Sequence, residues 1–521
     1  MAEPNKIFSH LRVSQIYRIR GLSSLFYPNP DLSPENTFVM RNSGINEKHL
    51  STTRLGINKW NATQITETAV AKPARGIFYR VYLGGAERVI ELAGTKIYTD
   101  DGTTRTDITG ALTIVNDADA LGRSVYIDDK EIITDGVSAP FYVGPTGNGA
   151  AITGTQFTKC EDFATHRNFL VAANLTESGT KHGTRIRWCD VDTTYFTDLD
   201  INTWPTAHVY DLYEDGPQII GMDDNFGRLL VFKGDGCYPC RLEFNNGVVE
   251  LVIDEDHIQR GFSPIAKCSI ISRPEFTWVV ARDGAYIVQP DLSVVFISKN
   301  FQSFWKTLNP ARLSKCVSYL REDEHQVRTL IPDADTSSGN DQIMVWNWDT
   351  NDFWIETPPV NMVYGATYRS SSIEYDLYGN TTGYVYKGNS GTTDDAASDI
   401  LWAITMSPND LGFPGYTKEI VNFRTIVKSQ ASQNSISLGI IRDQGFRPTK
   451  SLTINIGSAL QWNSGFQWND GLSWPGGTTE FKQSYVGRFA ETIAPSWSGS
   501  GESSIVGYQV EFKLEEGQDG T

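Results

Sequence analysis

The stretch TWVVARDGAYIVQPDLSVVFIS, residues 277–298, decides the fold class of the chain. It contains three runs rich in β-branched and aromatic residues, separated by turn signals at Asp283-Gly284 and Pro290-Asp291. Such runs are typical of strands, and Asp-Gly and Pro-Asp provide the backbone geometry of tight turns. The stretch therefore predicts three consecutive antiparallel strands with no helix between them.

The same alternation of strand and turn continues from about residue 76 to residue 400. Further units are TKIYTDDGTTRTDI (95–108), SVYIDDKEIITDG (124–136), RLLVFKGDGCYPCRLEF (228–244), IMVWNWDTNDFWIET (343–357) and YGNTTGYVYKGNSG (378–391). They recur at roughly 35 to 50 residues, the size of a four-stranded propeller blade, so about seven blades fit the region. A stack of β-sandwiches is the alternative architecture. NFQSFWKTL (300–308) is predicted to be a short helical connector.

The two flanks differ from this middle region. Residues 1–75 are rich in turn-forming and polar residues and have little periodicity, which predicts an extended N-terminal arm. Residues 401–521 contain alternating segments such as SISLGIIRDQ and GYQVEFKLEE, which predict a β-sandwich. The predicted architecture is all-β, with an arm (1–75), a β-propeller of about seven blades (76–400) and a C-terminal sandwich (401–521).

Three evenly spaced tryptophans, Trp462, Trp468 and Trp474, stand in SALQWNSGFQWNDGLSWPGG, residues 458–477. A spacing of six places their side chains on one face of an extended chain but scatters them around a helix. Residues 467–474 are similar to the Asp-box turn of sialidases, in one imperfect copy. We interpret the tryptophans as residues that pack hairpins rather than as a platform for sugar, because large rings dominate burial in small β-domains.

Composition and charge restrict the function. The 521 residues carry 45 Lys and Arg against 62 Asp and Glu, a formal net charge of −17. Tight binding of nucleic acid is disfavoured, because affinity for DNA comes from neutralising phosphates with Lys and Arg. The start of the chain has no signal-peptide pattern, and no apolar run approaches the roughly 20 residues of a membrane helix. We expect a soluble protein made in a cytoplasm.

Cysteine and histidine patterns predict no metal site. Only Cys237 and Cys240 have ligand-like or redox-like spacing, and they lack a second CxxC pair. We expect them to be buried or turn-forming thiols without metal. The histidines are dispersed along the chain, at His10, His49, His166, His182, His208, His257 and His325.

Catalytic motifs are also missing, with neither a GxSxG elbow nor a phosphate loop in the sequence. The acid clusters 254–256 and 322–324 are interpreted as solvated loops, although they leave a paired-carboxylate glycosidase open as an alternative. Residues 333–341 imitate the start of a calcium loop, but Met344 stands where the bidentate Glu belongs. The sequence predicts no catalytic, cofactor-binding or metal-binding residue.

Segments along nearly the whole chain resemble one family of virion proteins. The segments are the Gly-Leu pair at 21–22, PNPDLSPENTFVMRN (28–42), Arg54-Leu55-Gly56, LLVFKGDGCYPC (229–240), ARDGAYIV (281–288), LGFPGYTKEIVNF (411–423) and GYQVEFKL (507–514). Together they resemble the tail nozzle, or hub, proteins of short-tailed bacteriophages, also called packaged-DNA stabilisation proteins.

The resemblance implies a propeller-bearing subunit that forms a ring, with hexameric symmetry, below the portal and adaptor proteins. Such a ring encloses the DNA exit channel, helps to retain the packaged genome and anchors tail fibres or spikes. The implied location is the virion tail, assembled in the host cytoplasm, and the implied partners are further copies, adaptor proteins, fibres and passing double-stranded DNA that is not tightly bound. No membrane insertion, enzymatic activity or cofactor is implied, and no channel residue is assigned by position.

Two hypotheses follow. The first is the structural ring subunit, which is not an enzyme. The second is a carbohydrate-binding or glycoside-hydrolysing propeller, favoured by 13 Trp, 22 Tyr and the turn similar to an Asp-box. Solution mass discriminates between them, because the first predicts rings and the second monomers.

Overall fold

The structure is a computed structural model. It describes residues 12–19, 37–45, 51–191, 199–213, 216–245, 248–413, 416–428, 434–443, 447–456, 479–501 and 504–514. The three evenly spaced tryptophans of segment 458–477 therefore lie outside the described residues. Their role in packing hairpins stays a prediction for Trp462, Trp468 and Trp474.

The chain forms two compact units. The first contains Met1–Gly56, Val345–Thr357 and Ser390–Thr521, and the second contains Ile57–Met344 and Pro358–Asn389. These divisions fall at other places than the predicted boundaries after residues 75 and 400.

Seven short strands of the described part of the chain come before the first large sheet. They are β1 (Arg12–Arg18), β2 (Thr37–Arg41), β3 (Ser43–Ile45), β4 (Ser51–Thr53), β5 (Asn58–Lys59), β6 (Thr66–Glu67) and β7 (Val70–Ala71). The last two pair with each other as a small antiparallel hairpin.

The second unit begins with four-stranded antiparallel sheets. The first contains β8 (Ala74–Val81), β9 (Glu87–Ala93), β10 (Lys96–Asp100) and β11 (Arg105–Asp107). The second contains β12 (Arg123–Ile127), β13 (Lys130–Thr134), β14 (Phe141–Val143) and β15 (Ala150–Ala151). The third contains β16 (Lys159–His166), β17 (Phe169–Glu177), β18 (Thr180–Trp188) and, after the hairpin of β19 (Asp190–Val191) and β20 (Leu199–Asp200), β21 (Val209–Asp211).

The pattern repeats in the second half of the unit. The fourth sheet contains β22 (Ile219–Asn225), β23 (Arg228–Lys233), β24 (Gly236–Asn245) and β25 (Val248–Ile253), with β26 (Gln259–Arg260) beside β24. The fifth contains β27 (Ile271–Arg273), β28 (Phe276–Ala281), β29 (Gly284–Val288) and β30 (Val294–Phe296). Next come β31 (Val317–Arg321), β32 (Gln326–Ile331) and the start of β33 (Gln342–Asn347); β34 (Asp352–Glu356) lies in the first unit. The last sheet contains β35 (Met362–Ser370), β36 (Ile373–Asn380) and β37 (Val385–Lys387), with β5 as its outermost strand.

Among the residues that the structure describes, helical structure is confined to short connectors. α1 spans Gln302–Trp305 and follows a 3-10 turn at Lys299–Phe301, which confirms the predicted connector at 300–308. Further 3-10 turns span Glu255–His257, Lys267–Ser269, Leu313–Lys315 and Asp395–Ala397. Within the part of the chain that the structure describes, no helix is long and apolar enough to cross a membrane.

The first strands of the sheets close into a ring. In chain order, these first strands are β8, β12, β16, β22, β27, β31 and β35. Each strand from β12 to β31 contacts the next one in this order, and the last strand, β35, contacts β8. The circle is completed between β8 and β12, where the Gly122 amide donates to the Arg75 carbonyl oxygen at 2.8 Å. A closed ring of inner strands, each starting an antiparallel sheet, is a β-propeller, which confirms the predicted architecture of about seven blades.

The stretch 277–298 forms the predicted succession of strands, β28, β29 and β30. Every residue of β28 is buried, as expected for a strand covered on both faces. A Cβ at Gly284 would lie 2.4 Å from Ser298 Oγ, so glycine is required at this turn by close approach.

The first unit contains a β-sandwich. Its later strands are β38 (Thr393–Asp394), β39 (Ser398–Asp399), β40 (Leu401–Met406), β41 (Lys418–Lys428), β42 (Asn434–Arg442), β43 (Arg447–Ile456), β44 (Thr479–Ala490), β45 (Ile493–Ser500) and β46 (Ser504–Leu514). One sheet has the order β3-β4-β46-β41-β44, with β1 also paired to β46, and the other contains β34-β2-β40-β45-β42-β43. Between them, Trp497 Nε1 donates to Thr425 Oγ1 at 3.0 Å, and the ring centroids of Phe423 and Trp497 are 6.0 Å apart. The predicted sandwich is thus confirmed.

The segment predicted as an extended arm supplies strands to both sheets of this sandwich. β1 pairs with β46 from Arg12↔Lys513 to Arg18↔Gly507, and β2 pairs with β40. Met40 and Ile45 are buried. β1 and β2 were not recognised from the sequence because each is short, and the strands that pair with them lie hundreds of residues away.

Replacing Trp497 with alanine should lower the free energy of unfolding by about 3–5 kcal/mol, because the fully buried indole leaves a cavity and Thr425 loses its donor. Urea denaturation followed by circular dichroism measures the change. Leu401→Ala is the matched control, since this side chain is 70% exposed and its loss should cost less than about 0.5 kcal/mol. Equal losses for the two variants would contradict the proposed sandwich core.

Candidate functional site

A cluster of charged side chains at the inner edges of the blades is centred on Arg123. Its Nε donates to Asp162 Oδ1 on β16 at 3.1 Å. Its Nη1 donates to the Ile270 carbonyl oxygen at 2.7 Å and its Nη2 to the Met222 carbonyl oxygen at 3.2 Å. The second carboxylate oxygen of Asp162 accepts from the Met222 amide at 2.7 Å. One guanidinium therefore connects the blade of β12 to the three blades that follow it.

A second carboxylate, Asp223 on β22, lies beside this cluster and is partly buried. Burial raises the pKa of Asp223 to about 6, although Arg123 and a hydrogen bond with Ser272 act to lower it. Burial also raises the pKa of Asp162, against the opposing effect of Arg123. Raised carboxyl pKa values occur in active sites and in structural ion clusters alike. Here Asp162 contacts a guanidinium that is also bound to two backbone carbonyls, and the charge of that guanidinium acts on Asp223, which is the arrangement of a structural cluster.

Further polar contacts join the turns that follow the inner strands. His166 Nδ1 lies 3.0 Å from Asp224 Oδ1, which connects the third blade to the fourth. Asn225 Nδ2 donates to the Arg273 carbonyl oxygen at 2.6 Å, which connects the fourth to the fifth. These side chains lie at the ends of strands, where they can reach the neighbouring turn.

The next blades are connected through Glu322. Its carboxylate lies 3.0 Å from Arg273 Nη2 on the preceding blade. Its backbone amide donates to Glu374 Oε2 on the following blade at 2.7 Å. Glu374 is 3% exposed and also accepts from Arg369, so its buried charge is compensated.

The acid cluster 322–324 was predicted to be a solvated loop, and its side chains, in the turn after β31, are 42%, 33% and 41% exposed. The Arg321 side chain is buried, and its Nη2 lies 3.0 Å from Asp323 Oδ2 and 3.1 Å from Glu324 Oε1. The sequence shows three adjacent acids but does not show that a buried guanidinium neutralises them.

Aromatic and ionic contacts complete the circle of blades. The rings of Tyr79 on β8 and Tyr368 on β35 meet edge to face at 5.0 Å, which connects the last blade to the first. Arg80 Nε donates to Glu131 Oε2 at 2.6 Å, which connects the first blade to the second. Side-chain contacts therefore join each pair of successive blades around the propeller.

The Arg54-Leu55-Gly56 element occupies a buried position in the first unit. Arg54 donates to both carboxylate oxygens of Asp394, at 2.7 and 2.8 Å. Its Nη2 also donates to the Thr357 carbonyl oxygen at 2.9 Å. A Cβ at Gly56 would lie 2.0 Å from the Thr393 carbonyl oxygen, so glycine is required there. The element fixes its segment to the loop that contains Asp394.

The two cysteines with ligand-like spacing do not face each other. Cys237 packs in a core cluster with Phe232 and Tyr286, whereas Cys240 packs in a different cluster with Trp188. Residues three apart on a strand point to opposite faces, so this pair cannot chelate one ion together. Burial raises the pKa of Cys240 to about 12, which keeps it a thiol at neutral pH.

The other sequence candidates are dispersed. Asp254 of the cluster 254–256 contacts His257 at 2.9 Å, and the Asp333 amide donates to Asp341 Oδ1 at 2.8 Å across the loop that imitated a calcium site. No group of three or more His, Cys, Asp or Glu suited to a metal occurs among the described residues. His10 and His49 lie outside them.

Sequence reasoning missed Arg123, Asp162 and Asp223 altogether. Each stands in an ordinary strand, and their partners come from other blades. The only available signal was a charged residue within an otherwise apolar or β-branched run, as in RSVYI (123–127). In the structure, the cluster joins strands of successive blades through charged hydrogen bonds.

Replacing Arg54 with leucine should lower the free energy of unfolding by about 3–5 kcal/mol, because Asp394 loses the guanidinium that both of its oxygens contact. Chemical denaturation of the full chain measures the loss. The double variant Arg54→Leu/Asp394→Leu should recover part of it, since no buried carboxylate is then left behind. A double variant that is destabilised by the sum of the two single changes would show that the residues are not coupled.

Replacing Asp223 with asparagine should stabilise the protein at pH 7.5 by about 1–3 kcal/mol. Because the folded-state pKa is raised above the unfolded value, the folded protein binds the proton more tightly, and stability falls as pH rises from about 4 to 6. The gain should therefore disappear at pH 4. Thermal unfolding across this range measures it, with the exposed Asp256→Asn as control. A gain that does not change with pH would contradict the assigned titration.

Comparison with known proteins assigns no family. No protein-family model matches the chain, and no curated protein matches it. Solved structures similar to it include the WD40 domain of Neurospora crassa Pan2, at 10% identity and a TM-score of 0.39, covering 65% of this chain and 95% of that one. BBS1N in complex with ARL6DN is similar at 12% identity and a TM-score of 0.38, covering 64% of this chain and 97% of that one. The computationally designed Ika8 protein is similar at 11% identity and a TM-score of 0.35, covering 63% of this chain and 99% of that one. These similarities are low in sequence and in structure, so the fold assignment rests on the strand pairing described above.

Proposed function

We propose that the chain is a structural subunit of a phage tail nozzle, in the virion tail of a short-tailed bacteriophage. In this role, copies assembled in the host cytoplasm form a ring, with six subunits, below the portal and adaptor proteins. The ring encloses the DNA exit channel, helps to retain the packaged genome and anchors tail fibres or spikes. The chain acts as scaffold in this proposal and not as an enzyme.

The unbroken series of contacts between successive blades carries the proposal. A wall around DNA under pressure has to keep its shape, and a propeller in which each blade is joined to its neighbours by hydrogen bonds, ion pairs or ring contacts resists shearing of one blade past another. Arg123 contributes hydrogen bonds to Asp162 and to two backbone carbonyls. The described charges of this cluster serve packing, which suits a load-bearing subunit better than a substrate cleft.

Three of the segments that resemble the nozzle family lie on strands that the structure describes. Residues 229–240 form most of β23 and the start of β24, and residues 281–288 contain β29 and the turn before it. Residues 507–514 lie in β46, the strand that pairs with β1, β4 and β41. The resemblance thus concerns positions that specify the fold.

The acidic balance supports passage of DNA without retention. A wall that neutralised phosphates would bind DNA more tightly with each added contact, whereas the chain has a net charge of −17. Charges act over about 8 Å at physiological ionic strength, so only side chains close to the duplex would repel it.

Native mass measurement and negative-stain imaging of the purified full chain should show closed rings of six subunits each. In a separate binding measurement, these rings should not bind a 40-base-pair duplex at 150 mM salt. Closed rings require a head-to-tail interface between two different patches of the subunit. Rings that bind the duplex tightly would indicate a nucleic-acid-binding assembly instead. A monomer that binds or cleaves glycans would contradict the proposal and favour the carbohydrate-active propeller.

A further inference from the structure

The last blade takes its outermost strand from a segment that lies far from it in the sequence. β5 pairs with β37 through only two residue pairs. The chain then continues along the same blade, where the Trp60 amide donates to the Val385 carbonyl oxygen at 2.8 Å and the Ile65 amide to the Gly383 carbonyl oxygen at 2.7 Å. Residues 58–65, which are called the clip, therefore follow the edge of the last blade.

The clip also contacts the first blade. Asn61 Nδ2 donates to both carboxylate oxygens of Asp100, at 2.9 and 3.1 Å, and both side chains are buried. Arg105 Nη1 donates to the Thr63 carbonyl oxygen at 2.6 Å. Asp100 belongs to β10 and Arg105 to β11, the outer strands of that blade. The clip therefore bridges the last blade and the first on the outer side of the ring.

Trp60 lies between these two blades. Its ring meets that of Tyr368 on β35 edge to face, with centroids 4.9 Å apart. Lys387 Nζ on β37 is 5.1 Å from the centroid of the indole. On the first blade, a Cβ at Gly102 would come within 2.9 Å of the indole, so glycine at this turn makes room for the ring. One side chain of the clip thus contacts both blades.

The contacts of the clip are separate from those that close the inner ring. Between the inner strands, the rings of Phe78 on β8 and Tyr364 on β35 meet edge to face at 5.7 Å, and neither residue belongs to the clip. Ala62 and Thr63, in the middle of the clip, are exposed. Segments with short ladders and exposed residues open locally at a lower free energy than the core. Loss of the clip would therefore leave β8 and β35 in contact.

We propose that the clip is detachable: it leaves the first and last blades as one unit while the inner strands stay closed. Release uncovers the edge of β37, whose backbone groups can then pair with another extended strand. The strand that fits this edge has the chemistry of the clip, with a tryptophan and an asparagine directly after the paired residues. The clip belongs to the single chain, so its release does not depend on the proposed ring.

Hydrogen exchange of the wild-type full chain, resolved by residue, measures the release. The amides of Trp60 and Ile65 should have the same protection factor, lower by about tenfold or more than the amides of β9, a strand paired on both sides. Asn61→Ala should lower protection of the clip by a further factor of about ten, because the contact with Asp100 is lost, and leave β9 unchanged.

The matched control is Asn225→Ala, which removes an asparagine that joins two other blades. It should leave the protection of the clip as in the wild-type chain. Clip amides that are as protected as those of β9, or that exchange independently of each other, would overturn the proposal, as would an equal effect of the two asparagine variants on the clip.

A fluorescent peptide with the sequence INKWNATQI, residues 57–65, tests whether the uncovered edge can be filled again. It should bind the full-chain double variant Trp60→Ala/Asn61→Ala at least about tenfold more tightly than the wild-type chain, whose own clip competes at a high effective concentration. A peptide with the same residues in scrambled order should bind neither chain. Equal binding of INKWNATQI to both chains, or binding to neither, would contradict a detachable clip. Loss of the whole β spectrum of the double variant in circular dichroism would also contradict it, because the clip would then be inseparable from the fold.

Discussion

The guanidinium of Arg123 lies among the inner strands of the propeller. This position is energetically favourable only if all of its hydrogen-bond acceptors are present at the same time. A charge taken out of water costs several kcal/mol unless it is paired and hydrogen-bonded. Its acceptors come from β16, from β22 and from the segment before β27. A blade that slipped by one residue would leave this charge without them, so the cluster selects one register for several blades at once.

The same constraint operates elsewhere in the chain with other partners. Arg321 compensates the acids that follow β31, and Arg54 compensates Asp394 in the sandwich unit. Buried ion pairs of this kind add little net stability, because desolvation offsets much of the attraction, but breaking one is costly. Their main effect is therefore to specify which segments pair. A structure built from many similar sheets needs such specific contacts, because otherwise one blade could pack in the position of another.

The sequence was informative wherever structure is determined locally. Asp283-Gly284 specified a turn because its backbone requirement involves only neighbouring residues, and the repeat of strands and turns specified a propeller. Pairing at long range left no such signal. β1 has a short, mixed sequence whose partner lies in β46, and Asp223 gains its raised pKa from burial among strands of different blades. The acids 322–324 stay partly exposed, as their local composition suggested, but their ion pairs with Arg273 and Arg321 could not be inferred from it.

Pairing of distant segments has a consequence for how the chain is made. β5 pairs with β37. The first strand of the propeller to be synthesised can therefore pair only after more than 300 further residues have been made. β1 waits longer, until residues 507–513 have been synthesised. Contacts between such distant segments slow folding, and partly folded chains expose strand edges that aggregate. A chain interrupted between residues 389 and 507 therefore contains every segment of the propeller unit but lacks the strand that pairs with β1 in the sandwich unit.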